Sequence, residues 1–171
     1  MKKTVNDKEY SFEPKANLKR ADLKNANLTH VDLSGANLEH ANLNHAFLFE
    51  ADLSEANLRK SNLNYSRLND ANLNGADLQE SSLKNALLKR VKFQNANLQG
   101  ADLHDADLAG ADLSNANLSK VVLGKADLSK ACLTGADLSS VNLQLANLSG
   151  ADLSDVKTDL HTKFPRGIDL D

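Results

Sequence analysis

Apolar residues recur in this chain with a strict period of five, and this repetition limits the possible folds more than any other feature. From Ala16 to Asp155 every fifth residue is Ala, Val or Ser. The residue two places later is Leu in every one of these 28 pentads except the one that contains Phe93. A helix requires apolar recurrence near 3.6 residues and a strand requires two, so neither regular element explains the pattern. A chain that turns once in each repeat explains the period of five.

The five positions of the repeat differ in chemistry. Positions one and three are two residues apart, so their side chains point to the same side of a short extended segment and fill an interior. Position two then points outward, and positions four and five form a corner. Asn or Asp occupies position two in 21 of the 28 pentads, and their short side chains bond to nearby backbone. Six glycines lie at position five, where a positive φ costs them little: Gly35, Gly75, Gly100, Gly110, Gly135 and Gly150.

Runs such as 101–105, ADLHD, and 146–150, ANLSG, resemble the A(D/N)LXX signature of the pentapeptide-repeat family. The resemblance covers residues 16–155 without interruption. It implies an all-β fold, a right-handed quadrilateral β-helix with four pentapeptides per coil and positions one and three inside. The 28 repeats then give a solenoid of about seven coils, roughly 34 Å long at a strand spacing of about 4.8 Å.

The repeats divide the chain into three predicted parts. Residues 1–15 form an N-terminal cap segment, residues 16–155 the repeat β-helix, and residues 156–171 a C-terminal cap and tail. Pro14 and Pro165 bracket the array, where their missing N–H groups stop further pairing. Apolar side chains just outside the array are predicted to cover its two ends: Val5, Tyr10, Phe12, Leu160 and Phe164.

Charge and composition exclude several classes of protein. The chain has 20 basic and 23 acidic residues and a formal net charge of -3, which is too balanced for direct binding to nucleic acid. Cys132 is the sole cysteine, so no intramolecular disulfide forms. No apolar run approaches the roughly 20 residues that a bilayer requires, and no cleavable signal is visible. We therefore expect a cytoplasmic protein with no membrane association.

Residues with catalytic potential do not converge in the sequence. His30, His40 and His45 all lie at position five but at different corners of the coil, which argues against a shared metal ion. Cys132 has no His in its own or the adjoining pentads to activate it. Four acids within one coil are spread around its perimeter: Asp102, Asp105, Asp107 and Asp112. We expect no enzyme activity, cofactor or metal.

Two functions remain. One is a rigid surface for protein–protein interaction with an unidentified partner. The other follows from the resemblance, since the family includes acidic rods that mimic DNA and occupy the DNA site of gyrase or topoisomerase IV. A DNA duplex carries one charge per roughly 1.7 Å. The most acidic outward row holds four acids with interruptions: Asp32, Asp52, Asn72, Lys92, Asp112, Cys132 and Asp152.

Mimicry is therefore the alternative and general protein interaction the preferred prediction. Family members that protect topoisomerases dimerise through an apolar C-terminal extension. The segment from Lys157 to Asp171 is short and departs from that feature. We expect a monomer.

The irregular pentads predict where a partner binds. A spacing of four pentads stacks Phe47, Arg67 and Leu87 on one face of the rod, and exposed aromatic residues beside Arg are typical of interaction hot spots. In the alternative, these side chains cover one another or lie beneath a terminal segment. The predicted partner-binding residues are Phe47, Phe49, Tyr65, Arg67, Leu87, Lys89 and Arg90.

Overall fold

The structure, a computed structural model, describes residues 1–168. Its main feature is a series of parallel bridges between residues at position two of the pentads. From Asn17, which pairs with Asn37, to Cys132, which pairs with Asp152, each bridge joins residues 20 apart. Four pentads therefore make one coil, and the predicted all-β β-helix is confirmed. Among residues 1–168, no helix is long and apolar enough to cross a lipid bilayer.

Each coil hydrogen-bonds through its backbone to the coils on both sides. In one pentad, the Leu103 N–H donates to the Val122 carbonyl of the following coil at 2.8 Å. The Asp102 N–H donates to the Ser81 carbonyl of the preceding coil at 2.9 Å. A third bond closes the corner, from the Ala106 N–H to the Leu103 carbonyl at 3.0 Å. Backbone groups that a narrow rod would otherwise leave buried and unpaired are satisfied in this way.

The corners place position five in the left-handed backbone region. Glu55, Gly75 and Asn95 stack at one corner in successive coils, with φ of 56°, 67° and 59°. This conformation costs an ordinary L-residue about 1–2 kcal/mol. Most corner residues of this chain are neither Gly nor Asn, so the bonds between coils must outweigh that cost at each turn.

The interior consists of Leu and Ala ladders. Leu side chains at position three are fully buried over most of the array, and Phe93 fits among them. Each buried Leu contributes roughly 1.5–3 kcal/mol. Ser61, Ser66 and Ser81 replace Ala at position one and are also buried. Each of their hydroxyls donates to the carbonyl three residues earlier, at 2.6–2.7 Å, so no hydrogen-bonding group is left unpaired there.

A β-hairpin covers the N-terminal end of the rod. Strands β1 (Lys2–Val5) and β2 (Lys8–Ser11) pair antiparallel through a two-residue turn in which Asn6 and Asp7 both have positive φ. Such turns match the natural twist of paired strands. Three residues predicted to cover this end do pack against the core: Val5, Tyr10 and Phe12. The Tyr10 hydroxyl also accepts the Asp22 N–H at 3.2 Å, which anchors the hairpin to the first coil.

The bridges continue beyond Asp155 at the other end. Asp137 pairs with Lys157 at the usual spacing of four pentads. Asn142 pairs with Lys163, although the usual spacing would select Thr162. One additional residue therefore lies in the final turn.

Phe164 and Ile168 pack against the end of the core. The prediction that Leu160 covers this end is wrong, because its side chain is 88% exposed. Leu160 falls at position five of the pentad that follows Asp155, and position five faces outward. Instead, the Asp159 carboxylate holds this turn in place by accepting the Ser140 hydroxyl and N–H at 2.6 and 2.9 Å. The bond from the Ser140 hydroxyl holds the pKa of Asp159 well below its usual value.

One joint in the ladder is open, between pentads 121–125 and 141–145. Val122 and Asn142 remain neighbours, but the N–H groups of Leu123 and Lys125 have no carbonyl partner within residues 1–168. The pentad 141–145 bonds to the final turn, where the Leu143 N–H donates to the Lys163 carbonyl at 2.7 Å. A cleft of about 320 Å³ opens at the joint.

We expect this joint to be the most labile part of the repeat array. The amides of Leu123 and Lys125 should exchange with deuterium at least about tenfold faster than those of Leu118 and Lys120, because the latter donate to carbonyls of the next coil at 2.9 Å. Hydrogen exchange followed by NMR measures this. Equal protection of the two pairs would contradict an open joint.

A second prediction follows from the burial of the Leu side chains at position three. Leu103→Asp places an unpaired charge in a fully buried site, so it should unfold the protein or lower the free energy of unfolding by at least about 4 kcal/mol. Asn97→Ser, at position two, changes only the side chain that accepts the Gln99 N–H, so it should lower the free energy of unfolding by no more than about 1 kcal/mol. Chemical denaturation of both variants tests this. If both unfold like the parent, the inward positions are assigned incorrectly.

Candidate functional site

The aromatic face is the side of the rod that carries Phe47, Arg67 and Leu87. Parallel bridges link Asn27 to Phe47, Phe47 to Arg67, Arg67 to Leu87 and Leu87 to Asp107. The three irregular residues therefore lie one above another in successive coils. Phe47 is 41% exposed and Leu87 is 39% exposed. This face presents apolar surface where regular pentads present Asn or Asp.

A cleft of about 360 Å³ runs between this column and the neighbouring corner. Tyr65 lies at the corner and is 50% exposed. We call this the aromatic cleft, and its lining residues are Asn25, His45, Phe47, Tyr65, Arg67, Asn85 and Leu87.

Contacts within the aromatic cleft hold its side chains in defined orientations. The His45 and Tyr65 rings stack with their centroids 5.0 Å apart and 8° between their planes. The Arg67 guanidinium carbon lies 5.2 Å from the centroid of the Phe47 ring, a cation–π contact. The side chains do contact one another, as the alternative interpretation holds, yet their exposed fractions show that they are not covered. Ordered aromatic groups lose little conformational entropy on binding.

The other predicted residues lie along the opposite edge of the aromatic face. Lys89 pairs with Asp107 at 3.2 Å, and Arg90 makes two 2.7 Å bonds to Asp70. The hydrogen bonding to Asp70 raises the pKa of Arg90. Phe49 contacts the ring of His30, at 6.0 Å between centroids. Phe49 and Lys89 lie at position four and Arg90 lies at the following corner, and these positions project away from the cleft. The seven predicted residues therefore form two groups on one face. One group lines the cleft and the other lies along the opposite edge.

Sequence reasoning did not identify His45 as part of this site. Its corner differs from those of His30 and His40, which argues against a shared metal ion but does not connect it to Tyr65. Its spacing of four pentads from Tyr65 was the signal that could have located it, since residues separated by one coil stack. Asn25 and Asn85 complete the same corner.

Asn and Asp at position two have a structural role that the aromatic face lacks. In each of these pentads the side-chain oxygen accepts the N–H of position four, as Asn27 accepts the Thr29 N–H at 3.2 Å. Where position two is another residue, an Asn at position four of the preceding coil can substitute. Three N–H groups are satisfied in this second way, those of Lys84, Lys89 and Gln94.

The N–H groups of Phe49 and Asn69 have neither kind of acceptor. They follow Phe47 and Arg67 by two residues, and no bond to either is found among residues 1–168. They lie at position four of successive coils, about 4.8 Å apart at the usual strand spacing. Two stacked backbone donors therefore remain free on the aromatic face. The same bond is missing at Gly124 and Thr134, which lie on two other faces of the rod.

Other titratable groups are engaged in local bonds. Asp102 pairs with Lys84 at 2.9 Å, and Asp105 pairs with His104 at 3.2 Å. Within residues 1–168, no group of His, Cys, Asp and Glu side chains could hold a metal ion. The Cys132 sulfur lies 3.4 Å from the Thr134 hydroxyl, at hydrogen-bonding distance.

The acidic row stacks as its spacing predicts, from Asp32 to Asp152. Its carboxylates accept bonds from neighbouring residues. The pKa of Asp32 is lowered first by the Ser34 N–H, and that of Asp152 first by the Ser154 hydroxyl. Asn72, Lys92 and Cys132 interrupt the row.

Comparisons with known proteins match both the repeats and the fold. The family model described as pentapeptide repeats (8 copies) matches residues 16–54, 51–90, 86–124 and 123–157. HetL from the cyanobacterium Nostoc sp. strain PCC 7120, a pentapeptide repeat protein involved in heterocyst differentiation regulation, is 37% identical. The alignment covers 90% of this chain and 76% of HetL, with a TM-score of 0.61. No curated protein sequence matches the chain significantly.

Two other solved structures are similar to this chain. Rfr23, a pentapeptide repeat protein from the cyanobacterium Cyanothece 51142, is 31% identical over 56% of this chain and 65% of its own, with a TM-score of 0.55. QnrB1, a plasmid-mediated fluoroquinolone resistance protein, is 18% identical over 85% of this chain and 90% of its own, with a TM-score of 0.42.

The missing acceptor at Phe47 makes a testable prediction. Phe47→Asn and Phe47→Ala both remove the ring and its contact with Arg67, but only Asn supplies an oxygen for the Phe49 N–H. We expect the Asn variant to have a free energy of unfolding about 1 kcal/mol higher than that of the Ala variant. Urea denaturation measures both. An Ala variant at least as stable as the Asn variant would contradict this role of position two.

Proposed function

The chain belongs to the pentapeptide-repeat family, and we propose that this member is a non-enzymatic protein that binds a protein partner through its aromatic face. The aromatic cleft is the observation that carries the proposal. It combines exposed aromatic rings, a guanidinium and a concave shape in one place. Interaction hot spots are enriched in Tyr, Trp and Arg.

The absence of a catalytic role is part of the proposal. The aromatic cleft contains no carboxylate to act as a base and no nucleophile beside one. Elsewhere the side chains with catalytic potential lie at separate corners or in local ion pairs. HetL is described as involved in the regulation of heterocyst differentiation, a role compatible with binding.

Mimicry of DNA, with gyrase or topoisomerase IV as the partner, has less support. The acidic row is interrupted at Asn72, Lys92 and Cys132, so its negative charges are not evenly spaced like those of a duplex. The likeness to QnrB1 is too low in identity and TM-score to carry a function.

We also propose that the protein acts as a cytoplasmic monomer. The polar segment after the repeats and the single Cys132 support this part of the proposal. Phe164 and Ile168 pack on the rod's own end, where an apolar extension would otherwise offer a surface to a second copy.

Affinity capture tests the proposed surface. The whole chain, immobilised, is exposed to a lysate of its source organism, and retained proteins are quantified by mass spectrometry. The test variant combines Phe47→Asn, Phe49→Asn and Tyr65→Asn. Asn occurs naturally at equivalent positions of this chain, Asn27 at position two and Asn85 at the same corner, so the fold should persist. We expect a specific protein to be retained by the parent and lost from this variant.

A matched control carries the same number of apolar-to-Asn changes elsewhere: Val122→Asn, Leu145→Asn and Leu160→Asn, all at exposed sites. It should retain the partner as the parent does. If the partner binds the test variant as well as the parent, or is lost equally from the control, the aromatic face is not the binding site.

A further inference from the structure

The aromatic cleft carries uncompensated positive charge. Arg67 makes no ion pair in the described part of the chain, although the neighbouring Lys89 and Arg90 are both paired. The residues that line the cleft include Arg67 and His45 but no Asp or Glu. In a chain with a net charge of -3, this is a local exception.

The two free backbone donors belong to Phe49 and Asn69, which follow Phe47 and Arg67 by two residues and lie outside the lining of the cleft. In regular pentads, a side-chain oxygen of Asn or Asp accepts the N–H of position four. At Phe49 and Asn69 no oxygen takes that place. A carboxylate from outside the chain could instead pair with the Arg67 guanidinium, and charged hydrogen bonds of this kind are roughly twice as strong as neutral ones.

We propose that the aromatic cleft binds a peptide segment in which an Asp or Glu stands beside an aromatic or aliphatic residue. This inference rests on the proposed function and names the chemistry of the partner. The carboxylate pairs with the Arg67 guanidinium in the cleft. The apolar residue packs against Phe47, Tyr65 and Leu87.

A peptide with one or two acids fits this face better than a nucleic acid does. Arg and aromatic rings also suit single-stranded nucleic acid. However, Glu50 and Asp70 lie along the opposite edge of this face and Asp107 follows Leu87 in its column. With the cations Lys89 and Arg90 that pair with Asp107 and Asp70, they leave this part of the face without a net positive charge to hold a continuous row of phosphates. A single carboxylate in the cleft avoids them.

Peptide selection on the whole protein tests the proposal. Short random peptides displayed on phage are selected on the immobilised chain, with counter-selection on a Phe47→Asn, Tyr65→Asn double variant. We expect the enriched peptides to share an Asp or Glu next to an aromatic or aliphatic residue. Thermal melts of the double variant establish that it is folded.

The affinity for one selected peptide, measured by fluorescence anisotropy, then tests the contribution of the Arg67 charge. Arg67→Gln should weaken affinity at least about tenfold, and Arg67→Lys by no more than about threefold. Lys92→Gln, which removes a position-two cation from a neighbouring face, should leave affinity unchanged. Replacing the peptide's acid by its amide should cost much less in the Arg67→Gln background than in the parent, because the two groups are coupled.

The outcomes separate this inference from the proposed function. Selected peptides that need the cleft but lack an acid, or whose acid is not coupled to Arg67, overturn the inference and leave the binding face in place. Peptides that bind the double variant equally well contradict both. The absence of any enriched peptide overturns the inference alone, because lysate capture decides the binding face independently. A labelled single-stranded oligonucleotide is tested in the same way. If it binds the parent and loses affinity for the double variant, the ligand of the cleft is a nucleic acid and not a peptide.

Discussion

The backbone ladder between coils is the interaction on which the rest of this molecule depends. It joins residues at position two to their counterparts four pentads further along, and it holds a corner in the left-handed region in every pentad except 141–145. Leu and Ala supply the apolar free energy, but they can be buried only because neighbouring coils satisfy the backbone groups around them. Stability in such a rod is a sum of contacts between neighbours, so a defect stays local. The open joint near Leu123 shows this, since the ladder is intact on both sides of it.

The side chain at position two links stability to binding. As Asn or Asp, it accepts the N–H of position four and stiffens the corner. Where position two is Phe47 or Arg67, this hydrogen bond is absent. Phe47 instead exposes apolar surface, and Arg67 adds a positive charge. The surface available to a partner thus arises where the repeat loses a local hydrogen bond. At Leu87 the loss is compensated, because Asn69 in the preceding coil accepts the Lys89 N–H at 3.0 Å.

Much of the fold could be predicted from the sequence because a strict period leaves few alternatives. Inward and outward positions, the stacking of Phe47, Arg67 and Leu87, and the separation of the histidines all follow from counting by pentads and by coils. The C-terminal end of the rod could not be predicted in the same way. One additional residue shifts the spacing before Lys163, and no repeat remains there to reveal it. The error at Leu160 has another cause, because continuing the count of pentads past Asp155 puts Leu160 at the outward position five. The sequence also could not show that Lys89 and Arg90 are neutralised, since side-chain pairing depends on rotamers as well as on register.

The spacing of four pentads per coil also determines how such a surface can change over time. An insertion or deletion of one pentad turns every later residue a quarter of the way round the rod, so columns that cross the point of change are broken. A change of four pentads restores the alignment and alters only the length. The aromatic cleft draws its lining from Asn25 to Leu87, so a single duplicated pentad inside that span would dismantle it while leaving the Leu interior intact. Duplication of a whole coil beyond Leu87 would lengthen the rod and leave the cleft unchanged. Replication errors in repetitive genes could therefore create or erase binding surfaces in one step, without an intermediate that fails to fold.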